Sequence, residues 1–354
     1  MKRRAASPIL SCLLVACGGA RGGGPAENRA AAGGACLPVA GDATYRLVTT
    51  GGRTHVCSER AGDDDHAAER ACWVVELGAG TLSQSDLVDE PGRGRWVPAA
   101  WTKDGQCAEG YCIPGQPSDD GDGAQSSLQL ATGASVAVVI GGERGFYLFD
   151  ASKRLRPLPA GPDRDDGPGA SPGEPWIVGD VIFIGDFDAG PHADVHAYTA
   201  DGSLLGPITD PADHEEYSGD FELFNGTISL LSDHEVAFAE HLLARVLVYD
   251  TGTHTTSVWE RRTATPAACT AEQRAVFFDP VDVNLEFALE DGSMPRACLD
   301  TLKASDGRYG AHGVARAADG ALVALTRAAD RFTLVHFDAA GVVAREVALP
   351  TCGR

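Results

Sequence analysis

One short pattern recurs along the chain and sets what it can fold into. An apolar run ending in an aromatic is followed by an acidic or small turn and a second extended run. FYLFD (146–150) leads through ASK into RLRPLP, and VHAY (195–198) through TADG into SLLGPI. VLVYD (246–250) leads through TG into THTTSVW, and LVHFD (334–338) through AAG into VVAREVALP. Asp and Gly between two apolar runs supply the tight turn of a hairpin. The interval is about 50 residues from Asp150 to Asp201 and again from Asp201 to Asp250. It is 88 from Asp250 to Asp338, room for one degenerate unit, and the alternating VNLEFAL (283–289) falls there as its strand.

Strands precede these hairpins at SVAVVI (135–140), VIFI (181–184) and ALVAL (321–325). Upstream, YRLV (45–48) and CWVVEL (72–77) start further units. Several strands per unit, recurring every 40–50 residues, predict an all-β chain and a β-propeller of six or seven blades. A β-sandwich or two small β domains are the alternatives. No stretch shows helical periodicity above background. With 43 Gly and 20 Pro, turns are plentiful, and 44% hydrophobic residues suffice for a core. The Gly/Pro-rich stretches 113–127 and 160–174 read as surface loops.

The N-terminus divides the chain. Lys2, Arg3 and Arg4 precede a short apolar stretch, far below the roughly 20 residues needed to span a bilayer. Leu14-Val15-Ala16-Cys17 resembles the lipobox of bacterial lipoproteins. That resemblance implies a signal peptide (1–16) removed before Cys17, lipidation of Cys17, and stable anchoring by more than one acyl chain. Gly18 after the cysteine implies, by the same resemblance, the outer membrane. Residues 17–35 are Gly/Ala-rich and read as a tether, leaving 36–354 for the β domain. No other run is long and apolar enough to cross a membrane.

The formal charge is −21, and −24 once Lys2, Arg3 and Arg4 leave with the signal. A nucleic-acid binder needs the opposite sign to displace phosphate counterions, so that class is excluded. The acidity keeps the domain soluble and suits cationic partners or divalent ions.

Of ten cysteines, eight remain beyond Cys12 and Cys17. An even number in an exported chain predicts disulfides, with 105 pairings open. Proximity favours Cys57–Cys72, Cys107–Cys112 and Cys269–Cys298, leaving Cys36 to meet Cys352. The last bond would stabilise by roughly 4–5 kcal/mol on the loop-entropy account. There is no CxxC pair for zinc.

The unit from Gly310-Ala311-His312-Gly313 through Asp319-Gly320 to Leu349-Pro350 is similar to blades of the lactonase, NHL and streptogramin-lyase-like propellers. Such rings close by joining first and last blades, a purpose Cys36–Cys352 would serve. The resemblance places His312 at the mouth of a central channel, a candidate catalytic residue, although no second His-Gly accompanies it.

Other chemistry is thin. Gly169–Gly173 fits the GxSxG string, but a proline-rich loop cannot be a nucleophile elbow. His192, Asp194 and His196 share one face if extended and could ligate a transition metal, although Gly190-Pro191 makes their start a loop. Asp119, Asp120 and Asp122, and Asp163, Asp165 and Asp166, lie in oxygen-rich loops that could hold calcium without matching an EF-hand. Asp63-Asp64-Asp65-His66 reads as a charged loop. The expectation is a membrane-anchored lipoprotein that binds a protein or glycan without catalysis. The alternative is a hydrolase or lyase using a divalent ion in the channel.

Overall fold

A computed structural model describes residues 35–39, 43–60, 69–87, 90–115, 127–141, 145–158, 174–185, 195–208, 227–239, 245–262, 267–278, 288–305, 311–328 and 331–352. Ala35–Arg354 form one unit. Cys17, the lipobox and most of the tether lie outside the described residues, as do residues 116–126 and 159–173 with their aspartates and Ser171.

The described β domain is a succession of antiparallel meanders, and three of the four expected hairpins form the outer half of one; after FYLFD the second run is held by a single bridge, Phe149 to Leu155. Sheet I is β1 (Ala43–Thr50), β2 (Arg53–Arg60), β3 (Glu69–Glu76) and β4 (Thr81–Gln84), in that order. Both upstream runs, at 45–48 and 72–77, thus belong to this one sheet. Sheet II joins β5 (Arg95–Pro98), β9 (Ser127–Thr132), β10 (Val136–Ile140) and β11 (Phe146–Asp150). Between β5 and β9 stands a three-stranded ribbon, β6 (Ala100–Thr102), β7 (Gly105–Ala108) and β8 (Tyr111–Ile113). Sheet III is β12 (Trp176–Val178), β13 (Val181–Gly185), β14 (Val195–Thr199) and β15 (Leu204–Pro207). Sheet IV is β16 (Thr227–Leu230), β17 (Glu235–Ala239), β18 (Arg245–Asp250) and β19 (Thr255–Glu260). Sheet V is β20 (Ala311–Arg316), β21 (Leu322–Ala328), β22 (Arg331–Phe337) and β23 (Val343–Ala348). Among the described residues there are therefore five four-stranded sheets, all-β and propeller-like in plan.

The turn aspartates act as the local sequence implies. Asp150 Oδ1 accepts the N–H groups of Ser152 and Arg154, and Asp250 Oδ1 those of Gly252 and Thr253. Asp338 Oδ1 does the same for Ala340 and Val342. Each carboxylate satisfies backbone donors that a tight turn would leave open. Middle strands such as β10 and β13 are buried along their whole length, so their apolar runs do not alternate.

Successive sheets pack through aromatics: Phe146 on Tyr198 (II on III), Phe183 on Phe238 (III on IV) and Trp259 on Phe337 (IV on V). Sheet V returns to sheet I, where His336 Nε2 lies 2.9 Å from the Leu77 carbonyl oxygen.

The ends of the domain meet. Leu37 bridges Thr351 in parallel, its N–H donates to Pro350 O at 2.9 Å, and Cys352 N–H donates to Leu37 O at 2.8 Å. Cys36–Cys352 locks this pairing, and the other disulfides are Cys57–Cys72, Cys107–Cys112 and Cys269–Cys298. Cys57 and Cys72 are direct partners across β2 and β3, as are Cys107 and Cys112 across β7 and β8.

The interval between Asp250 and Asp338 corrects the strand reading. It holds α1 (Ala271–Phe278) and α2 (Arg296–Ser305), and residues 288–290 form a helical turn. Residues 283–287 lie outside the described set, but Leu289 is helical rather than extended. Good helix formers (Ala271, Glu272, Gln273, Arg274) start α1, and Thr270 and Gln273 cap it reciprocally. Two helices this short are stabilised by packing and the Cys269–Cys298 staple more than by periodicity, which is why the pattern was weak.

Candidate functional site

The inner strands β1, β16 and β20 pack directly on one another. Leu47 and Ser229 are fully buried there, and the Val314 N–H donates to Ser229 Oγ at 3.0 Å. A Cβ on Gly313 (φ +137°) would lie 2.6 Å from the Leu47 nitrogen, so not even a methyl fits at this point. His312, beside it in β20, is half-buried.

The remaining inner edges are treated differently. The segment 91–98 crosses from sheet II to sheet III and bonds to both. Arg95–Pro98 pair with β9, while Arg93 bridges Trp176. Gly94 N–H donates to Pro175 O and Ile177 N–H to Gly92 O, each at 2.7 Å. Gly92 (φ +74°) makes this crossing possible, because a Cβ there would lie 1.8 Å from the Ile177 carbonyl oxygen.

The crossing segment forms one wall of a cleft of about 550 Å³ between sheet I and sheets II and III. The Cys57–Cys72 disulfide, Leu130 and Ile177 line it, with Glu59, Arg70, Glu90, Arg93 and Arg95 as its charged groups. Arg93 is the hub. It donates from Nη1 to Glu59 Oε2 and from Nε to Glu174 Oε1, both at 2.7 Å, and lies 3.5 Å from Glu90 Oε1. Arg70 donates twice to Glu59 Oε1, at 3.1 and 2.8 Å, and Arg46 stands 3.9 Å from Glu174. Arg95, at the rim, grips Glu109 at 2.6 Å. One loop residue thus ties sheet I, through Glu59, to the approach to sheet III, through Glu174.

Burial sets the protonation of this cluster. Burial alone would raise the Glu59 carboxyl, but Arg93 and Arg70 outweigh it and hold Glu59 below its ordinary range. Glu90 goes the other way: burial raises it despite Arg93 and Arg46. Its side chain is 7% exposed, and Oε2 is enclosed with no hydrogen-bond partner among the described residues. Burial lowers Arg46, with Arg93 adding to the effect. Burial also opposes the charge on Arg93, but Glu90, Glu174 and Glu59 together raise it above its usual value.

Such a cleft offers directed donors and acceptors beside apolar walls, a binding chemistry. Two other histidines serve the scaffold: His55 Nδ1 lies 2.8 Å from Ser85 Oγ, and His336 joins sheets V and I. Of the sequence metal candidates, His192 and Asp194 lie outside the described residues, and His196 is buried in β14. Among the described residues no three His, Cys, Asp or Glu side chains are placed to hold a metal ion. The aspartate loops at 63–66, 119–122 and 163–166 lie outside the described residues. No helix among the described residues is long and apolar enough to cross a membrane.

Sequence reasoning missed the cluster. Glu59 and Arg93 are 34 residues apart, and Arg93 and Glu174 are 81 apart, so no local window contains them. The one local sign is Glu90-Pro91-Gly92-Arg93-Gly94-Arg95, where glycines alternate with arginines as a close backbone approach requires.

No protein-family model matches the chain, and no curated protein matches it. Among solved structures, it is similar to a catalytically inactive virginiamycin B lyase from Staphylococcus aureus crystallised with quinupristin. That likeness has 12% identity, 90% of this chain and 74% of that one covered, and a TM-score of 0.27. Regucalcin from Agrobacterium tumefaciens, a calcium-binding protein, gives 10% identity, 84% and 70% coverage, and 0.30. TolB from Acinetobacter baumannii gives 11%, 86% and 57%, and 0.29. Likenesses at this level transfer neither residue roles nor activities to this chain.

Proposed function

We propose that this is an exported, lipid-anchored binding protein without catalytic activity, its meanders closed into a ring, with its ligand site in the cleft at Arg93. The observation that carries the reading is the cleft itself. It has the volume of a small-molecule site, apolar walls and a few fixed charged groups. The filled meeting point of β1, β16 and β20 favours this site over catalysis in a central channel. A cleft of this size suits a small molecule rather than a protein or long glycan. Four disulfides support an oxidising compartment. Ring closure is supported by the packing sequence II–III–IV–V–I and by Leu37 against Thr351. The anchor, and the outer membrane as its place, rest on the motif ending in Cys17.

Two measurements test this. Palmitate labelling in a lipoprotein-processing host should mark the full chain and not Cys17→Ala. Native mass spectrometry of protein purified from that host should show a bound small molecule that Arg93→Met, verified as folded, does not retain. An unlabelled full chain refutes the anchor. An adduct kept by Arg93→Met, or no adduct from any envelope extract, refutes the cleft.

A further inference from the structure

Among the described residues the charges around the cleft balance. Arg46, Arg70, Arg93 and Arg95 face Glu59, Glu90, Glu109 and Glu174, each in an ion pair with a member of the opposite set. This is unusual in a chain with 50 acidic and 29 basic residues. A balanced set favours neither a net anion nor a net cation, and what remains is local and directional.

The open valences lie on one short stretch. Glu90 Oε2 is an acceptor with no hydrogen-bond partner among the described residues, on a side chain 7% exposed. Arg93 donates from Nε and Nη1 to glutamates, and its Nη2 makes no hydrogen bond to a described residue. Among the described residues Arg95 uses only Nη2, on Glu109, leaving Nε and Nη1 at the half-exposed rim. Arg93 and Arg95 are two residues apart on an extended segment, so they share a face, roughly 6–7 Å apart. An acceptor and donors side by side, with Glu90 3.5 Å from Arg93, ask for a ligand that carries both charges close together. The soft terminal torsion of a carboxylate lets Glu90 exchange its oxygens toward an incoming donor. Leu130 and Ile177 line the same cleft with apolar surface.

Resting on the reading of the cleft as the ligand site, we propose that it binds a small zwitterion, a free α-amino acid with an apolar side chain. The carboxylate pairs with Arg93 and Arg95, the ammonium with Glu90, and the side chain packs on Leu130 and Ile177. Guanidinium–carboxylate and carboxylate–ammonium contacts are charge-assisted and hold best where water is excluded. The acidic remainder of the chain draws the ammonium end inward.

Calorimetry on the full chain, lipid-anchored or detergent-solubilised, tests this with L-leucine. 4-Methylpentanoate lacks the ammonium and 3-methylbutylamine lacks the carboxylate. Leucine should bind about 10-fold or more tighter than either, the worth of one charge-assisted bond. Glu90→Gln should erase its advantage over 4-methylpentanoate, and Arg95→Met, which leaves Arg93, should cut its advantage over the amine several-fold. Both variants are first checked for a native circular-dichroism spectrum and a single cooperative urea transition. A single-ended analogue binding as tightly as leucine overturns the inference, as does leucine binding that neither variant changes. If leucine fails to bind while the native adduct is still lost in Arg93→Met, the zwitterion falls and the cleft stands. If both fail, so does the cleft.

Discussion

Replacing Arg93 by Met removes the hub of the cleft while keeping an unbranched chain of similar length. Arg93 makes two charge-assisted hydrogen bonds of 2.7 Å, and its side chain is 10% exposed. Breaking a buried ion pair from one side costs about 3–5 kcal/mol, because the partner stays buried and unpaired. Two features reduce that here. Glu59 keeps both bonds from Arg70, and Glu174 is 30% exposed and so can rehydrate. The expected loss at pH 7 is about 2–3 kcal/mol, a large share of a domain's usual 5–15. The sign with pH follows from Glu59. Its carboxyl is held below its ordinary range, so its stabilisation is present above the unfolded pKa and lost as pH falls. The deficit of Arg93→Met is therefore widest near neutrality and narrows below about pH 4.5. Urea unfolding with disulfides intact, repeated from pH 7 to pH 4, measures it. A deficit under about 0.5 kcal/mol at pH 7, or one equal at both ends, would refute the reasoning.

Three further outcomes are expected. Glu90, raised mainly by burial, contributes stability that is full below its unfolded pKa and lost as pH rises through the folded one. Glu90→Gln should gain stability over wild type as pH rises through that window and none in acid, checked by urea titration. Gly92→Ala meets the Ile177 oxygen at 1.8 Å and pays for a positive φ, so it should cost about 3 kcal/mol or more. Amide exchange at Gly94 and Ile177 should quicken, and unchanged protection would contradict the crossing. Cys36→Ser with Cys352→Ser frees a loop of sequence separation 316 and should cost roughly 5 kcal/mol in thermal or urea unfolding. A cost below about 1 kcal/mol would mean the terminal pairing holds without the bond.

What the sequence made legible was local. Asp150, Asp250 and Asp338 announce their turns because the carboxylate bonds backbone two to four residues on, within any short window. Cys57 and Cys72 are readable for the same reason: one hairpin puts them face to face. The helices were not legible, since α1 spans only eight residues and depends on neighbours and a disulfide. The cleft was illegible because its members come from β1, β2, β3, the crossing segment and the approach to β12. Only the packing of sheets brings Glu59, Arg93 and Glu174 together, and nothing in their own neighbourhoods marks them as a set. The sequence pattern pointed to six or seven repeats; the described residues hold five four-stranded sheets, with a helical pair where a sixth repeat was expected.

The joined ends have a mechanical consequence. Tension arriving along the chain before Cys36 passes at once into Cys352 through a covalent sulfur bridge, and only then into either neighbouring sheet. Sheet I is not peeled strand by strand from its first residue, because the load divides between the two termini and is borne along the Leu37–Thr351 ladder. A domain wired this way resists being unravelled from its first residue.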